Sequence, residues 1–365
     1  METVKEIVQY LHSFAPLYLQ ESYDNVGLLI GDENQKVTGI LTTLDITEKV
    51  IDEAISKNVN VIVAHHPIIF KGLKKINGNS LVEKCVIKAI KNDINLIACH
   101  TNLDHVQNGV NFKLSSIIGL KNLQILAPRK EELFSLSTYV PIDSASKVLD
   151  ALFNAGAGKI GNYDDCSFTS DGVGSFKPLE NANPTLGEKN VFEKVNEQKI
   201  EVLVAKEFVN KVLFELKKNH PYEEVAYFLT KLENENQTTG AGMVGELVEE
   251  MDEKEFLLYL KSILPIDYIK YTPFLNKKIK KVAVCGGSGA FLTSKAIAAG
   301  CQVFISADFK YHDYFEAEDK ILIADIGHYE TEICTKELFY EILSKKFSNI
   351  AVLISDTVTK PYNYL

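Results

Sequence analysis

Short runs of β-branched and aliphatic residues alternate with amphipathic helical stretches at both ends of the chain. This is the pattern of parallel strands joined by helical crossovers. Strands are expected at residues 26–30, 37–44, 59–64 and 94–99, with helices at about 47–57, capped by Thr47, and 80–91. The theme returns with strands at 282–285, 303–306, 321–324 and 350–354, a segment at 311–317, and helices at 290–299 and about 330–345. Runs this apolar belong to sheets covered by helices on both faces.

The middle of the chain reads differently. Strands at 134–140, 200–204 and 225–229 alternate with helices at 144–155 and 207–219, around a polar stretch rich in Gly, Asn, Asp and Ser. Two β-α-β units in about 100 residues indicate a ferredoxin-like α+β domain. Ala127-Pro128-Arg129-Lys130 and Glu233-Asn234-Glu235-Asn236-Gln237 flank it as connecting segments. The expected organisation is a first α/β lobe at 1–126, an inserted domain at 127–238 and a second α/β lobe at 239–365.

With 365 residues the chain is long enough for several cores, and its net charge of −10 argues against binding nucleic acid through bulk electrostatics. The run Lys277-Lys278-Ile279-Lys280-Lys281 reads as a solvated strand edge. No apolar stretch reaches the roughly 20 residues that span a bilayer. The start of the chain enters an amphipathic helix and lacks a signal-peptide pattern. The six cysteines contain no C-x-x-C pair and mostly sit inside apolar runs, as buried thiols in a reducing compartment do. A cytoplasmic protein is the expectation.

Polar residues at strand ends carry the chemistry, since crevices of open α/β sheets lie at the carboxyl ends of strands. Ala64-His65-His66-Pro67 follows one strand directly, and neutral imidazole is a common transition-metal ligand, although a solvated or capping pair reads the same way. A second strand runs into His100-Thr101-Asn102-Leu103-Asp104-His105. There Asp104 can bridge ions or cap a turn, and His100 can orient a ligand. A third leads to Gly327-His328-Tyr329-Glu330-Thr331-Glu332, where His328 and Glu332 are one helical turn apart.

Asp308, Lys310 and His312 follow a fourth strand as candidate acid/base or phosphate-contacting groups. Gly286-Gly287-Ser288-Gly289 forms a strand-to-helix junction that either presents backbone N–H groups to a phosphate or makes a tight turn. Asp24 and Asn25 could line the crevice, though turn formation explains them adequately, and Asp45 also follows a strand but suits a helix start equally well. His220-Pro221-Tyr222-Glu223-Glu224 in the middle domain reads as a structural turn.

Together, Tyr23-Asp24-Asn25-Val26-Gly27, Ala64-His65-His66-Pro67, His100-Thr101-Asn102-Leu103-Asp104, Ser306-Ala307-Asp308-Phe309-Lys310-Tyr311-His312 and Gly327-His328-Tyr329-Glu330-Thr331-Glu332 resemble the GTP cyclohydrolase 1 type 2 homologue family, also called the NGG-one-interacting-factor-three-like family. The match spans essentially the whole chain. The resemblance implies two similar α/β lobes forming one metal-binding domain, with a PII/CutA-like domain inserted between them. It also implies a toroidal homohexamer, a trimer of dimers.

It further implies a dinuclear site on His65, His66, Asp104, His328 and Glu332. One ion would lie on His65, Asp104 and Glu332, and the other on His66 and His328, with carboxylates bridging. Where the family pattern has Thr-Gly before the aspartate, this chain has Ser306-Ala307.

Mixed His and carboxylate ligands suit two divalent ions of zinc, manganese or iron. The expected activity is metal-dependent hydrolysis of a small nucleotide-like or phosphorylated molecule. His312, Lys310 and His100 are the candidates for catalysis, and Asp308, Gly286, Gly287 and Gly289 for substrate binding. The alternative is a non-catalytic metal-binding regulator or delivery hexamer whose middle domain senses a ligand.

Overall fold

The computed structural model describes residues 2–130 and 132–365. They form two compact units, one built from the chain up to Pro128 and from Thr238 onward, the other from Arg129–Gln237. The first part of the chain forms β1 (Gly27–Ile30), β2 (Ile40–Thr43), β3 (Val61–Ala64), β4 (Asn95–Ala98) and β5 (Lys121–Arg129). The inserted unit contributes β6 (Leu133–Pro141), β7 (Ser167–Phe176), β8 (Glu193–Ala205) and β9 (Tyr227–Leu232). The chain then returns through β10 (Asn236–Asp252), β11 (Lys270–Tyr271), β12 (Lys278–Ser288), β13 (Val303–Ala307), β14 (Leu322–Asp325) and β15 (Val352–Ile354). The fold is mixed α/β with three sheets.

The larger unit holds two of them. One has the order β1-β4-β3-β2-β15 and is parallel except for β1. The other has the order β11-β14-β13-β12-β10-β5, with a parallel centre of β14, β13 and β12. Register decides what these sheets present. Thr43, Ala64 and Ala98 are aligned across β2, β3 and β4, so the residues after them emerge along one edge. Ser306 pairs with Asp325, and Ser288 with Ala307, which does the same in the second sheet.

Alternate residues of each strand face opposite cores. Val61 and Val63 pack with Ile7, Leu11 and Phe339, while Ile62 and Ala64 pack with Val50, Ile51 and Cys85. In the second sheet Val282 and Val284 meet Leu114, Phe256 and Leu260, while Ala283 and Phe304 meet Leu292 and Ala296.

The lobes are interlaced, which the order of the elements in the chain does not suggest. Strand β15 and the helix Thr335–Lys346, late in the sequence, complete the first sheet and its core. Conversely, β5 and the helix Val110–Ile118 cover the second. In the inserted unit the strand order is β7-β8-β6-β9, all antiparallel, with the helices Ile142–Ala155 and Val209–Asn219 between strands in the split β-α-β sequence.

Three expectations need correction. The polar stretch contains a strand, β7: its exposed Ser, Asp and Gly residues are tolerated because it is an edge paired with β8 along its whole length. The flanks expected as connectors are partly strand, since β5 runs to Arg129 and β10 begins at Asn236. The second sheet carries antiparallel β10 and β11 beside its parallel core. Among the described residues no helix is long and apolar enough to cross a membrane.

The chain leaving β15 is tied down by Glu53. Its carboxylate accepts from Ser355 Oγ (2.7 Å), Asp356 N (2.9 Å) and Thr357 Oγ1 (2.6 Å), and pairs with Lys57 at 2.7 Å. Burial works against this charge, but the hydrogen bonds outweigh it and hold the pKa at about 2. Glu53→Gln is therefore expected to cost about 1–3 kcal/mol at pH 7. A depressed carboxylate stabilises above its unfolded pKa, so the gap to wild type should narrow in denaturant unfolding as pH falls below 4.5 toward 2.

Candidate metal centre

The two aligned strand edges deliver their polar residues to one place. From the first sheet come Asp45 after β2, His65 and His66 after β3, and His100 and Asp104 after β4. From the second come Ser288 at the end of β12, Asp308 after β13, and the short helix His328–Glu332 after β14. The main chain after β14 runs directly from this helix into Thr335–Lys346, which packs on the first sheet. Glu332 is thereby carried between the lobes.

Each histidine has its Nδ1 engaged by an oxygen. His65 Nδ1 donates to the Cys99 carbonyl (2.9 Å), His66 Nδ1 to Asp45 Oδ1 (2.7 Å), His100 Nδ1 to Asp24 Oδ1 (2.8 Å) and His328 Nδ1 to Asp308 Oδ2 (2.6 Å). With Nδ1 so held, Nε2 is the nitrogen each ring turns to the site, the arrangement that orients imidazoles for a metal. Asp24 is itself fixed by Thr101 N (3.0 Å) and Thr101 Oγ1 (2.5 Å), and Asp308 by Ser288 Oγ (2.6 Å).

These nitrogens converge on Glu332. His66 Nε2 lies 2.9 Å and His328 Nε2 3.0 Å from Glu332 Oε2, and the two nitrogens are 3.4 Å apart. His65 Nε2 lies 3.7 Å from Glu332 Oε1 and 3.6 Å from Asp104 Oδ1. Three overlapping groups result: His65, Asp104 and Glu332; His66, His328 and Glu332; and His65, His66 and His100. Within each, the candidate ligand atoms lie within 4.8 Å of one another.

The residues fit a cation. Because Cys99 O can only accept, His65 carries its proton on Nδ1 and points a lone pair at two carboxylate oxygens. Buried His65 Nε2 and Asp104 Oδ1 have no hydrogen-bond partner. Unpaired acceptors facing each other in a protein interior are costly, and a positive ion between them removes the cost. Burial drives the His65 pKa down to about 4, while burial and the Glu332 charge push Asp104 up. Burial opposes the charges on Glu332, His66 and His328 too, but contacts prevail: Asp45 and then Glu332 for His66, Asp308 and then Glu332 for His328, and the surrounding imidazoles for Glu332. Glu332 is held well below the usual range, and His66 and His328 rise to about 9 and about 11.

Other expected residues take different places. Asp308 accepts from His328 Nδ1 and so helps to hold that ring. Gly286 N donates to Asn111 Oδ1 (2.9 Å) and Gly287 N to Thr331 Oγ1 (3.0 Å), so neither N–H is presented to a phosphate. Gly287, at φ +60°, instead leaves room for Glu332 Oε1, with which a Cβ there would collide. Gly289 packs in the same way against Ser306 and Cys285.

The left-handed backbone in the Ser306-Ala307-Asp308 loop falls on Asp308 (φ +58°), while Ala307 lies in β13 and needs no glycine there. Lys310 and His312 are exposed after β13 and do not line the cavity; His312 instead lies beside the Tyr311 ring. Asp24 and Asp45, read from the sequence as turn and helix-start residues, are the partners of His100 and His66. Both stand beside a strand in the sequence, and Asp24 also lies in the Tyr23-Asp24-Asn25-Val26-Gly27 motif.

The cluster opens into a cavity of about 790 Å³. His100, Asp104, His66, His328 and Glu332 line it, with Tyr23, Phe70 and Phe291 as aromatic walls and no Lys or Arg among the described lining residues.

An interlaced α/β unit with histidines and carboxylates converging at facing strand ends defines a protein with a metal-binding candidate centre. The chain belongs to the Duf34/NIF3 (NGG1p interacting factor 3) family, whose profile matches residues 2–361. It is 39% identical over 364 residues to the GTP cyclohydrolase 1 type 2 homolog of Halalkalibacterium halodurans, covering 98% of this chain and 98% of that one. A Bacillus cereus protein related to NIF3 superposes with a TM-score of 0.86 at 36% identity, covering 100% of this chain and 99% of the other. Staphylococcus aureus protein SA1388 does so with a TM-score of 0.81 at 33% identity and the same coverage.

Raised histidine pKa values give stability that is complete below 6.5 and lost as pH climbs through the folded-state values. The metal-free protein, kept in chelator, is therefore expected to melt at progressively lower temperature from pH 6.5 to 9, as His66 loses its proton. A scanning calorimetry series over that range checks the direction.

Proposed function

We propose that the cluster holds two divalent ions, of zinc, manganese or iron, and that the protein is a metal-dependent hydrolase of a small nucleotide-like or phosphorylated substrate. The observation that carries the metal reading is the orphaned pair His65 Nε2 and Asp104 Oδ1, placed beside a second group that shares Glu332. His65, Asp104 and Glu332 would hold one ion, and His66, His328 and Glu332 the other. Such a pair supplies Lewis acidity, lowering the pKa of water and stabilising charge on attacking and leaving oxygens.

This chain's own groups would do the rest. Asp45, Asp308 and the Cys99 carbonyl keep the imidazoles aimed, and Tyr23, Phe70 and Phe291 offer faces to a planar ring. His100, held by Asp24, is the cavity group best placed to exchange a proton. With no Lys or Arg among the described lining residues, a phosphate would find its positive partners at the histidine cluster.

The reading extends to the whole molecule. The split β-α-β order of the inserted unit supports a PII/CutA-like domain. The assembly that goes with this reading is a toroidal homohexamer, a trimer of dimers. Six free cysteines, five of them buried, suit a reducing cytoplasm.

One observation favours a second reading. Lys310 and His312, two of the three residues expected to act in catalysis, do not line the cavity, which suits a metal-delivery or regulatory role. Turnover separates the two. Elemental analysis is expected to find two ions per wild-type chain and fewer in His66→Ala, and a screen of nucleotides and phosphoesters should show hydrolysis lost with them. Ions without turnover on any substrate would favour the delivery role. A chain that takes up none of the three metals would end the metal reading.

A further inference from the structure

The segment that leaves β15 crosses the metal-binding candidate centre on its outer side, and two consecutive residues of it grip the two halves. Thr359 Oγ1 donates to Asp45 Oδ2 at 2.6 Å, while the other oxygen of Asp45 receives His66 Nδ1 at 2.7 Å. Lys360 Nζ lies 2.7 Å from Glu330 Oε1. Glu330 is buried and sits midway between His328 and Glu332 on the short helix of the second sheet. Thr359 thus acts on a ligand from the first lobe and Lys360 on the element that carries ligands from the second.

Neither grip is a loose surface contact. The Lys360 side chain is only 13% exposed, pairs also with Asp267 at 2.5 Å, and lies over the Tyr364 ring at 4.6 Å. Upstream, Glu53 fixes Ser355, Asp356 and Thr357, so the segment approaches from an anchored point.

We infer that residues 355–360 form a clasp that holds the two ligand-bearing halves of the site in register, with Thr359 and Lys360 as positioning residues. The physical basis is a relay of hydrogen bonds. Asp45 has two oxygens and rotates freely unless both are engaged. With Thr359 on one and His66 on the other, the imidazole is pinned with Nε2 toward Glu332. Lys360 supplies the positive charge that a buried Glu330 requires, so the helix holding His328 and Glu332 stays seated. The consequence for metal affinity rests on the metal reading above; the consequence for His66 does not.

The test uses full-length protein labelled with ¹⁵N-histidine, in wild type, Thr359→Val, Thr359→Ser and Lys360→Met. In metal-free Thr359→Val the His66 Nδ1–H resonance should broaden or vanish while that of His328 persists, with the melting temperature within about 2 °C of wild type. Thr359→Ser should restore it. Lys360→Met should disturb His328 and spare His66. Partners of metal-ligating histidines change affinity by about 10–100-fold, so a residue one bond further out is expected to weaken zinc binding about 3- to 10-fold in Thr359→Val, with rescue by serine. An unchanged His66 resonance in Thr359→Val overturns the clasp, as does a resonance lost only together with the overall fold. Loss of the resonance in a protein whose wild type binds no zinc would support the clasp and remove the metal reading instead.

Discussion

The Glu332 carboxylate is buried where the ends of two sheets meet, with the Nε2 atoms of His65, His66 and His328 directed at it from both sides. A charge in that position needs compensation, and the site's architecture is arranged around supplying it. Aligned registers in both sheets set the histidines at one depth. The glycines of β12 clear space for the carboxylate. The helix bearing Glu332 belongs by sequence to one lobe and continues into an element packed on the other. Interlacing is therefore what allows one side chain to be shared by ligands from both sheets, and separating the lobes would dismantle the centre.

Behind the imidazoles lies a ring of oxygens that fixes their orientation. A backbone carbonyl faces His65, which burial keeps neutral, and carboxylates face His66 and His328, which they keep charged in the absence of metal. The difference matters chemically. The neutral ring presents a lone pair at once, whereas the charged pair would have to release protons before ligating an ion, so any binding at the second group would be coupled to pH. A cavity with aromatic walls and no Lys or Arg among the described lining residues then makes the cluster itself the centre of positive charge for anything that enters.

Much of this was legible in the sequence because parallel strands covered on both faces must be continuously apolar, so the polar residues that end them stand out. His65, His66, His100, Asp104, His328 and Glu332 were found that way, and the structure brings all six together. What was illegible has physical causes. Asp and Ser serve equally as turn formers and as hydrogen-bond partners of histidine, so Asp24 and Asp45 read as ordinary loop residues. Asp308 and the glycines at 286, 287 and 289 stand out in the sequence, but their contacts with His328, Asn111, Thr331, Glu332 and Ser306 are tertiary and leave no local signal. Strand β7 hides in a polar stretch because an edge strand has no apolar face to advertise. The exchange of β15 and β5 between sheets, and the reach of Thr359 to Asp45, are purely tertiary and leave no local mark.

The central claim is that Glu332 is shared by two ions. Anomalous diffraction at the zinc edge from crystals of the zinc-loaded protein tests it directly. The account predicts two peaks per chain, one against His65 and Asp104 and one against His66 and His328, each in contact with a Glu332 oxygen. A single peak, peaks remote from Glu332, or none at saturating zinc would contradict it.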